Sequence, residues 1–464
     1  MGAPVTFAPA AAEVLSALGA RRCPALLIAA PASGQGKTTL ACALARLYAR
    51  QGLRVRAFKC GPDFLDPHWL TLASGHPVHQ LDLWMTGSDD CAQRLYDAAG
   101  EADLIIVEGV MGLFDGEPSA ADLAQRFDLP VLAVIDASAM AGTFGALAWG
   151  LQNFRPGLRF AGVMANRVAS SGHADMLKGS LRDAAQWRGT LMRDAAYVLP
   201  ERHLGLVLAG EMDDAMIRLD KVADALAATP LGQMSLPDMQ AWAVEFFGPA
   251  AALAALGLEQ PLKGVRIGVA RDAAFCFIYA ANIDCLESMG AQLRYFSPLA
   301  DPDLPLCDAL WLPGGYPELH AHVIAANHFM KASIAAHVQA GKPVWAECGG
   351  MMALFQKLTT VDGVEHPMWG VLPGSASMQQ RLAALGPQQL EVGGGTFRGH
   401  TFHYSTCETP LAVHTRGEAA PGRKLRGQGE ALYKSGPVQA SYFHAWFASD
   451  PAAAAALFLK DAHV

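Results

Sequence analysis

Residues 25–39, ALLIAAPASGQGKTT, decide the fold. Ala25–Ala30 is an apolar run that reads as a buried strand, and Thr38–Gly52 reads as the helix that follows. Between them lies Pro31-Ala32-Ser33-Gly34-Gln35-Gly36-Lys37-Thr38-Thr39. A strand, a glycine-rich loop ending in Lys-Thr and a helix form the phosphate loop of a nucleotide-binding sheet. Small residues let backbone N–H groups turn inward on a polyphosphate, and the helix N-terminus adds positive partial charge. Ser33, Gly34, Gln35, Gly36 and Thr39 are the cradle, Lys37 reaches the β/γ-phosphates, and the Thr38 hydroxyl holds Mg²⁺. Pro31 stands where such loops usually begin with glycine.

The strand–helix rhythm continues outward. Val55–Lys59, Leu104–Glu108, Val131–Asp136 and Phe160–Asn166 read as further buried strands, with helical stretches such as Ala139–Gln152 between them. Residues 1–230 form this first domain and residues 231–262 a connection. Residues 263–464 form a second αβ domain, opening with Val265–Ala270 and running through a helix at Ile278–Met289. Its strands are Gln292–Phe296, Ala309–Leu312 and Pro343–Glu347. Shorter strands at Gly393–Tyr404 and Val438–Phe443 follow.

A Mg²⁺ site needs hard oxygen ligands near the loop, and in doubly wound sheets ligands gather at the carboxyl ends of strands. Asp63 and Glu108 end the second and third strands and are expected to join Thr38 on the metal. Asp66 and Asp115 lie further along the same loops and face a second substrate. Asn166, at the end of the fifth strand, either pairs with an adenine edge or is a loop amide.

In the second domain, Pro343–Met352 (PVWAECGGMM) has the pattern of a nucleophile elbow, strand–Cys–Gly–Gly–helix. The helix behind Cys348 is expected to favour its thiolate. His444 is the candidate base, with His400 and His403 as competitors. Gly315, in Leu312–Glu318 (LPGGYPE), and Gly349 offer backbone N–H groups to an oxyanion.

Composition excludes several classes. The chain has 464 residues, 52% apolar and 17% charged, with 35 Lys+Arg against 43 Asp+Glu. That is not a disordered chain, and its net charge of −8 does not suit a nucleic-acid or anionic-membrane binder. No apolar run approaches the ~18–20 residues of a membrane span. Met1–Ala20 lacks a basic stretch, so no secretory leader is expected. Nine scattered cysteines without zinc spacing indicate a reducing, cytoplasmic compartment.

Together these segments resemble the cobyrinate / hydrogenobyrinate a,c-diamide synthase family of cobalamin biosynthesis. The resemblance spans almost the whole chain through KCGPDFLDPHWL, QLDLWM, VEGVMGLFDG, VIDASAMA, MANRVAS, PERHLGLV, ARDAAFCFIYAANIDCLE, LPGGYPELHA, AECGGMMAL, GHTFHYS and SYFHAWFASDP. It implies an α/β protein. A P-loop domain similar to dethiobiotin synthetase, a doubly wound parallel sheet, precedes a class I glutamine amidotransferase α/β domain. It further implies a carbon–nitrogen ligase that uses ATP, Mg²⁺ and L-glutamine on a corrinoid polycarboxylate, with or without cobalt. The a and c carboxylates would be activated as acyl phosphates and amidated by ammonia passed between the domains. Cys348 would be the glutaminase nucleophile and His444 its base. Related enzymes are often homodimers. Class I enzymes often carry a glutamate two residues after the histidine, and here Trp446 stands there. Cobyric acid synthase and nickel-sirohydrochlorin a,c-diamide synthase share the architecture and remain alternatives. A regulatory P-loop ATPase with an inactive tail would lack the Cys, the His or the PGG segment, and all are present. Arg167, Arg202, His203 and Arg271 are candidate contacts for the polycarboxylate.

Overall fold

The computed structural model describes residues 19–202, 205–206, 212–249, 260–420, 423, 425 and 427–460. The chain divides after residue 257 into two units.

The first unit is built on β1 (Arg21–Ala29), α1 (Lys37–Arg50), β2 (Val55–Cys60), α2 (Leu65–Ser74), β3 (His79–Leu81), β4 (Leu104–Glu108), β5 (Val131–Asp136), β6 (Phe160–Val168) and β7 (Trp187–Met192). The strands lie in the order β3-β2-β4-β1-β5-β6-β7, and every pair is parallel. Residues of β1 alternate between two cores: Ala25, Leu27 and Ala29 pack on one face, Leu26 and Ile28 on the other. Both faces are dry, which is why this strand is an unbroken apolar run rather than an alternating one. The short strands β3 and β7 were not anticipated, because neither carries such a run.

The expected connection over 231–262 is only partly one. Leu231, Met239 and Trp242 are buried in the first unit's core. β8 (Ala243–Phe246) then pairs antiparallel with the start of β1, Arg21 opposite Phe246. Val244 and Phe246 cover apolar surface there, so the first unit extends beyond residue 230. Leu262 packs into the second unit. Residues 250–259, like residues 1–18, lie outside the described residues.

In the second unit, β9 (Arg266–Ala270), β10 (Gln292–Phe296), β11 (Ala309–Leu312), β12 (Val344–Glu347) and, after α3 (Gly349–Leu354) and β13 (Gly395–His403), β14 (Val438–Ser441) are the framework. Five parallel strands run in the order β10-β9-β11-β12-β14, extended by two antiparallel ones. Trp311 and Trp345 fill one face, and Leu310, Leu312, Val344 and Ala346 the other. β15 (His444–Trp446) leaves this sheet and pairs with β13, setting His400 opposite His444. Among the described residues, no helix is long and apolar enough to cross a membrane.

Candidate active sites

The phosphate loop leaves β1 and enters α1 through two left-handed glycines, Gly34 at φ +75 and Gly36 at φ +96. A Cβ on Gly36 would collide with the Asn166 side-chain amide. The first turn of α1 has no side-chain cap and no acidic residue, so its N–H groups are left for an anion. Gln35 ties the loop to the sheet: its carbonyl accepts from Asn166 Nδ2 at 2.9 Å, and its Oε1 accepts from the Asp136 N–H at 2.9 Å. Asn166 Oδ1 accepts from the Arg167 N–H at 2.9 Å. Its amide thus clasps the loop from β6, with β5 lying between it and β1 in the sheet.

Lys37 spans the loop. Its Nζ donates to the carbonyls of Ala32 at 3.1 Å and Met111 at 2.6 Å. Burial, then the nearby Lys59, lowers its pKa from the ordinary lysine value. Below it, the Thr38 hydroxyl donates to Glu108 Oε1 at 2.6 Å. Glu108 is fully buried, and its Oε2 has no hydrogen-bond partner.

Lys59 was not singled out from the sequence, yet it organises this site. It is the register partner of Glu108 on the adjacent parallel strand. Its Nζ lies 3.0 Å from Glu108 Oε1 and 2.5 Å from Asp66 Oδ2, and the residue is 3% exposed. Burial alone would push the ammonium down, but Asp66, Glu108 and Asp63 more than offset it and hold it well above the usual lysine range. One ammonium cannot neutralise several carboxylates. Glu108 is accordingly pushed up, first by burial and then by Asp66. Asp63 is raised by burial and Asp66 as well. Its Oδ1 accepts from the N–H groups of Leu65 and Asp66, at 2.8 and 3.0 Å, at the start of α2. The expected trio is therefore only partly joined: Thr38 and Glu108 touch, while the Asp66 carboxylate, not that of Asp63, reaches them through Lys59. Among the described residues no three His, Cys, Asp or Glu side chains group as a metal cage. A nucleotide-bound Mg²⁺ needs no such cage, since phosphates and water supply most of its ligands.

Asp115 is exposed, and its Oδ2 accepts from the Gly112 N–H at 2.9 Å, closing the turn that presents it. Gly112 has no room for a Cβ, which would strike the Asp115 carboxylate and the Pro31 carbonyl. This explains a glycine where the 109–116 loop rests on the phosphate loop. Arg167 pairs with Asp136 at 2.7 Å, and the Arg271 guanidinium lies 5.1 Å from the Tyr295 ring centre. His203 and the Arg202 side chain lie outside the described residues.

The second site forms at the end of β12. Cys348 has φ +43 and ψ −106, a strained bend that turns its side chain off the strand. Its N–H donates to the Ser441 carbonyl of β14 at 2.7 Å. Burial opposes the thiolate that the helix behind Cys348 would favour. Cys348 is 4% exposed, α3 is a single short buried helix, and burial followed by Glu318 pushes the thiol well above its ordinary range. Glu318, half-buried after the PGG turn, is itself raised to about 7 by burial.

The glycines fit around these groups. A Cβ on Gly314 would strike His444 Cε1, and one on Gly349 would stand 3.0 Å from the Gly315 nitrogen. Gly315 and Gly349 are thus brought backbone to backbone beside Cys348. His444 is 1% exposed, with the His400 ring stacked on it at 5.1 Å and Phe277 edge-on at 6.0 Å. The rival bases are engaged elsewhere. His400 Nδ1 is hydrogen-bonded to the Tyr279 hydroxyl at 2.9 Å, and burial, then His444, holds the ring neutral. His403 Nδ1 meets the Ser405 carbonyl at 2.8 Å and its Nε2 meets Glu430 at 3.0 Å.

A phosphate-loop unit and a strand-end cysteine unit in one chain define a nucleotide-dependent glutamine amidotransferase. Residues 26–206 match the CobQ/CobB/MinD/ParA nucleotide binding domain, and residues 266–452 match the CobB/CobQ-like glutamine amidotransferase domain. The chain belongs to the cobyrinate / hydrogenobyrinate a,c-diamide synthase family. It is 57% identical to the hydrogenobyrinate a,c-diamide synthase of Stutzerimonas stutzeri over 437 residues, covering 94% of this chain and 99% of that protein. It is 55% identical to the protein of that name from Pseudomonas aeruginosa, covering 94% and 97%. It is 48% identical to the cobyrinate a,c-diamide synthase of Herminiimonas arsenicoxydans, covering 93% and 96%. A solved glutamine amidotransferase aligns at 22% identity and a TM-score of 0.30, over 40% of this chain and 93% of its own, too slight a likeness to argue from.

Proposed function

We propose that this chain amidates the a and c carboxylates of cobyrinate or hydrogenobyrinate, using ATP and glutamine, in cobalamin biosynthesis. The observation that carries the reading is 57% identity to a hydrogenobyrinate a,c-diamide synthase across 94% of this chain, both units included. Relatives of both names match over more than nine-tenths of this chain, and the assay below, run with each acid, decides between them.

In the first unit, the loop N–H groups and Lys37 would hold the polyphosphate, Lys37 exchanging its carbonyl partners for β/γ-phosphate oxygens. Thr38 and Glu108, whose second oxygen is available, fit a hard cation, with Asp63 at the neighbouring strand end. That Mg²⁺ would neutralise phosphate charge. A substrate carboxylate oxygen then attacks the γ-phosphorus, ADP leaves, and an acyl phosphate forms. A carboxylate is too poor an electrophile for an amine, whereas an acyl phosphate is not. Ammonia attacks the acyl carbon, loses a proton and expels phosphate, leaving the amide. Asp115, exposed at the strand ends, and Asp66 are the groups proposed to face the substrate.

In the second unit, His444 would take the Cys348 proton, and the thiolate would attack the glutamine carboxamide carbon. The N–H groups of Gly315 and Gly349 would receive the oxyanion. The His444 proton passes to the departing ammonia, and water then cleaves the glutamyl thioester. The family resemblance further suggests a homodimer, which sedimentation tests. The chain's nine cysteines are all free, as a reducing cytoplasm would keep them.

The test offers the purified chain MgATP and glutamine with each acid in turn and reads products by mass. Two carboxyl-to-amide changes on either acid are expected. No change on both, with glutamine still hydrolysed, would move the search to another polycarboxylate. Cys348→Ala should lose glutamine-driven amidation and keep the ammonia-driven reaction; loss of both would show that Cys348 is structural.

A further inference from the structure

The residue two positions after His444 is Trp446, fully buried and packed edge-on against Tyr279 at 5.1 Å. It cannot orient an imidazole as a carboxylate would. We propose that Glu347, the residue immediately before Cys348, is the positioning residue for His444. The inference rests on Cys348 and His444 as nucleophile and base.

Glu347 ends β12 and is 2% exposed. Residues two apart on a strand share a face, so Trp345 lies beside it, and Trp345 Nε1 donates to Glu347 Oε1 at 2.7 Å. The N–H of Ala445, next in the chain to His444, reaches the same oxygen at 3.4 Å. One carboxylate oxygen is thereby pinned from both sides. The other, Oε2, lies 3.8 Å from His444 Nδ1. That is ion-pair range, longer than a direct hydrogen bond, and catalytic contacts of this kind commonly tighten when substrate binds. The pairing of Glu347 with Ser441 across β12 and β14 fixes this approach, because His444 follows Ser441 by one short turn.

The chemistry asks for this group. A buried carboxylate with donors on one oxygen only is costly unless a cation faces it. When His444 takes the thiol proton it becomes that cation. Glu347 then holds the Nδ1 proton in place and leaves Nε2 to collect the Cys348 proton and later deliver it to ammonia. His400, stacked on the ring and held neutral, restricts its tilt. The acid that class I enzymes often place after the base is supplied here from the nucleophile's own strand.

The experiment compares Glu347→Gln, His444→Ala and the double variant in the full-length enzyme, with glutamine and with ammonia as nitrogen source. Glu347→Gln keeps an oxygen for Trp345 and Ala445 but loses the charge. Its glutamine-driven kcat is expected to fall by about 10²–10⁴-fold, the scale set by the wrong imidazole tautomer in a Ser-His-Asp enzyme. KM for glutamine and the ammonia-driven rate should stay within about threefold. The double variant should be no slower than His444→Ala, because residues acting as one unit are non-additive. Glu347→Asp, which restores the charge on a shorter arm, should recover at least about tenfold of kcat, roughly 1.4 kcal/mol. Normal glutamine turnover by Glu347→Gln, multiplicative losses in the double variant, or an Asp variant no better than Gln would each overturn the role given to Glu347. Full glutamine turnover by His444→Ala would instead remove the underlying reading of the base.

Discussion

Replacing Lys59 by methionine isolates the charge balance beneath the phosphate loop. The ammonium sits 2.5 Å from Asp66 and 3.0 Å from Glu108, with Glu108 wholly shielded from water. Removing one partner of such a buried pair costs about 3–5 kcal/mol, because the remaining charge has lost both water and its counter-ion. Protonation limits the loss. Burial and Asp66 already raise Glu108 above its ordinary value, and without Lys59 it rises further. A carboxyl raised in the folded state contributes stability below its unfolded value, about 4.3, and loses it as pH climbs through the folded one. Lys59 is raised too, so its own contribution is complete throughout the acid and neutral range. The deficit of Lys59→Met should therefore be smaller near about pH 5 than near about pH 8. At about 2–4 °C per kcal/mol for a unit of this size, the melting temperature should fall by roughly 6–20 °C at the higher pH. Scanning calorimetry of the full chain measures it, following the transition that a non-hydrolysable ATP analogue raises. A fall of under about 2 °C at pH 8, or an equal fall at both pH values, would refute the pairing argument.

Three further outcomes follow from the geometry. Gly36→Ala forces a left-handed alanine against the Asn166 amide, so nucleotide affinity by titration calorimetry should drop at least about tenfold. Lys37→Ala should lower amidation from glutamine and from ammonia alike by about 10²–10³, because it removes a donor to the transferring phosphoryl group; normal turnover would withdraw the phosphate-loop assignment. Glu318 titrates near about 7 and, once ionised, pushes the Cys348 thiol up. Glu318→Gln should therefore speed iodoacetamide alkylation of Cys348 above that pH and leave it unchanged well below, as measured by mass.

Charges at the ends of apolar strands were the legible signal, and they were read unevenly. Glu108 after Leu104–Val107 is legible because a nucleotide-bound cation needs an oxygen ligand near the phosphate loop. Glu347 after Val344–Ala346 carries the same signal, a carboxylate that a buried strand would not hold without a task. Its partner lies far along the chain, so only the packing of β12 beside β14 shows that task. Lys59 at the end of β2 was equally visible in VRAFKC. Asp63 and Asp66, in one short loop, could not be told apart by spacing. Only the start of α2 shows that Asp63 accepts from the N–H groups of Leu65 and Asp66 while Asp66 reaches Lys59.

The sequence by itself determined the two α/β units, the phosphate loop, and Cys348 at a strand end, because these depend on local periodicity and on glycines that permit close backbone approach. Tertiary structure alone decided which side chains meet. Strand order sets Lys59 beside Glu108, though many residues separate them in the chain, and β14 delivers His444 toward Glu347. It also decided that 231–246 completes the first unit, since the value of burying Val244 and Phe246 depends on the apolar edge awaiting them. Local pattern specifies what an element is, but burial and charge compensation are properties of neighbours, and neighbours exist only once the chain has folded.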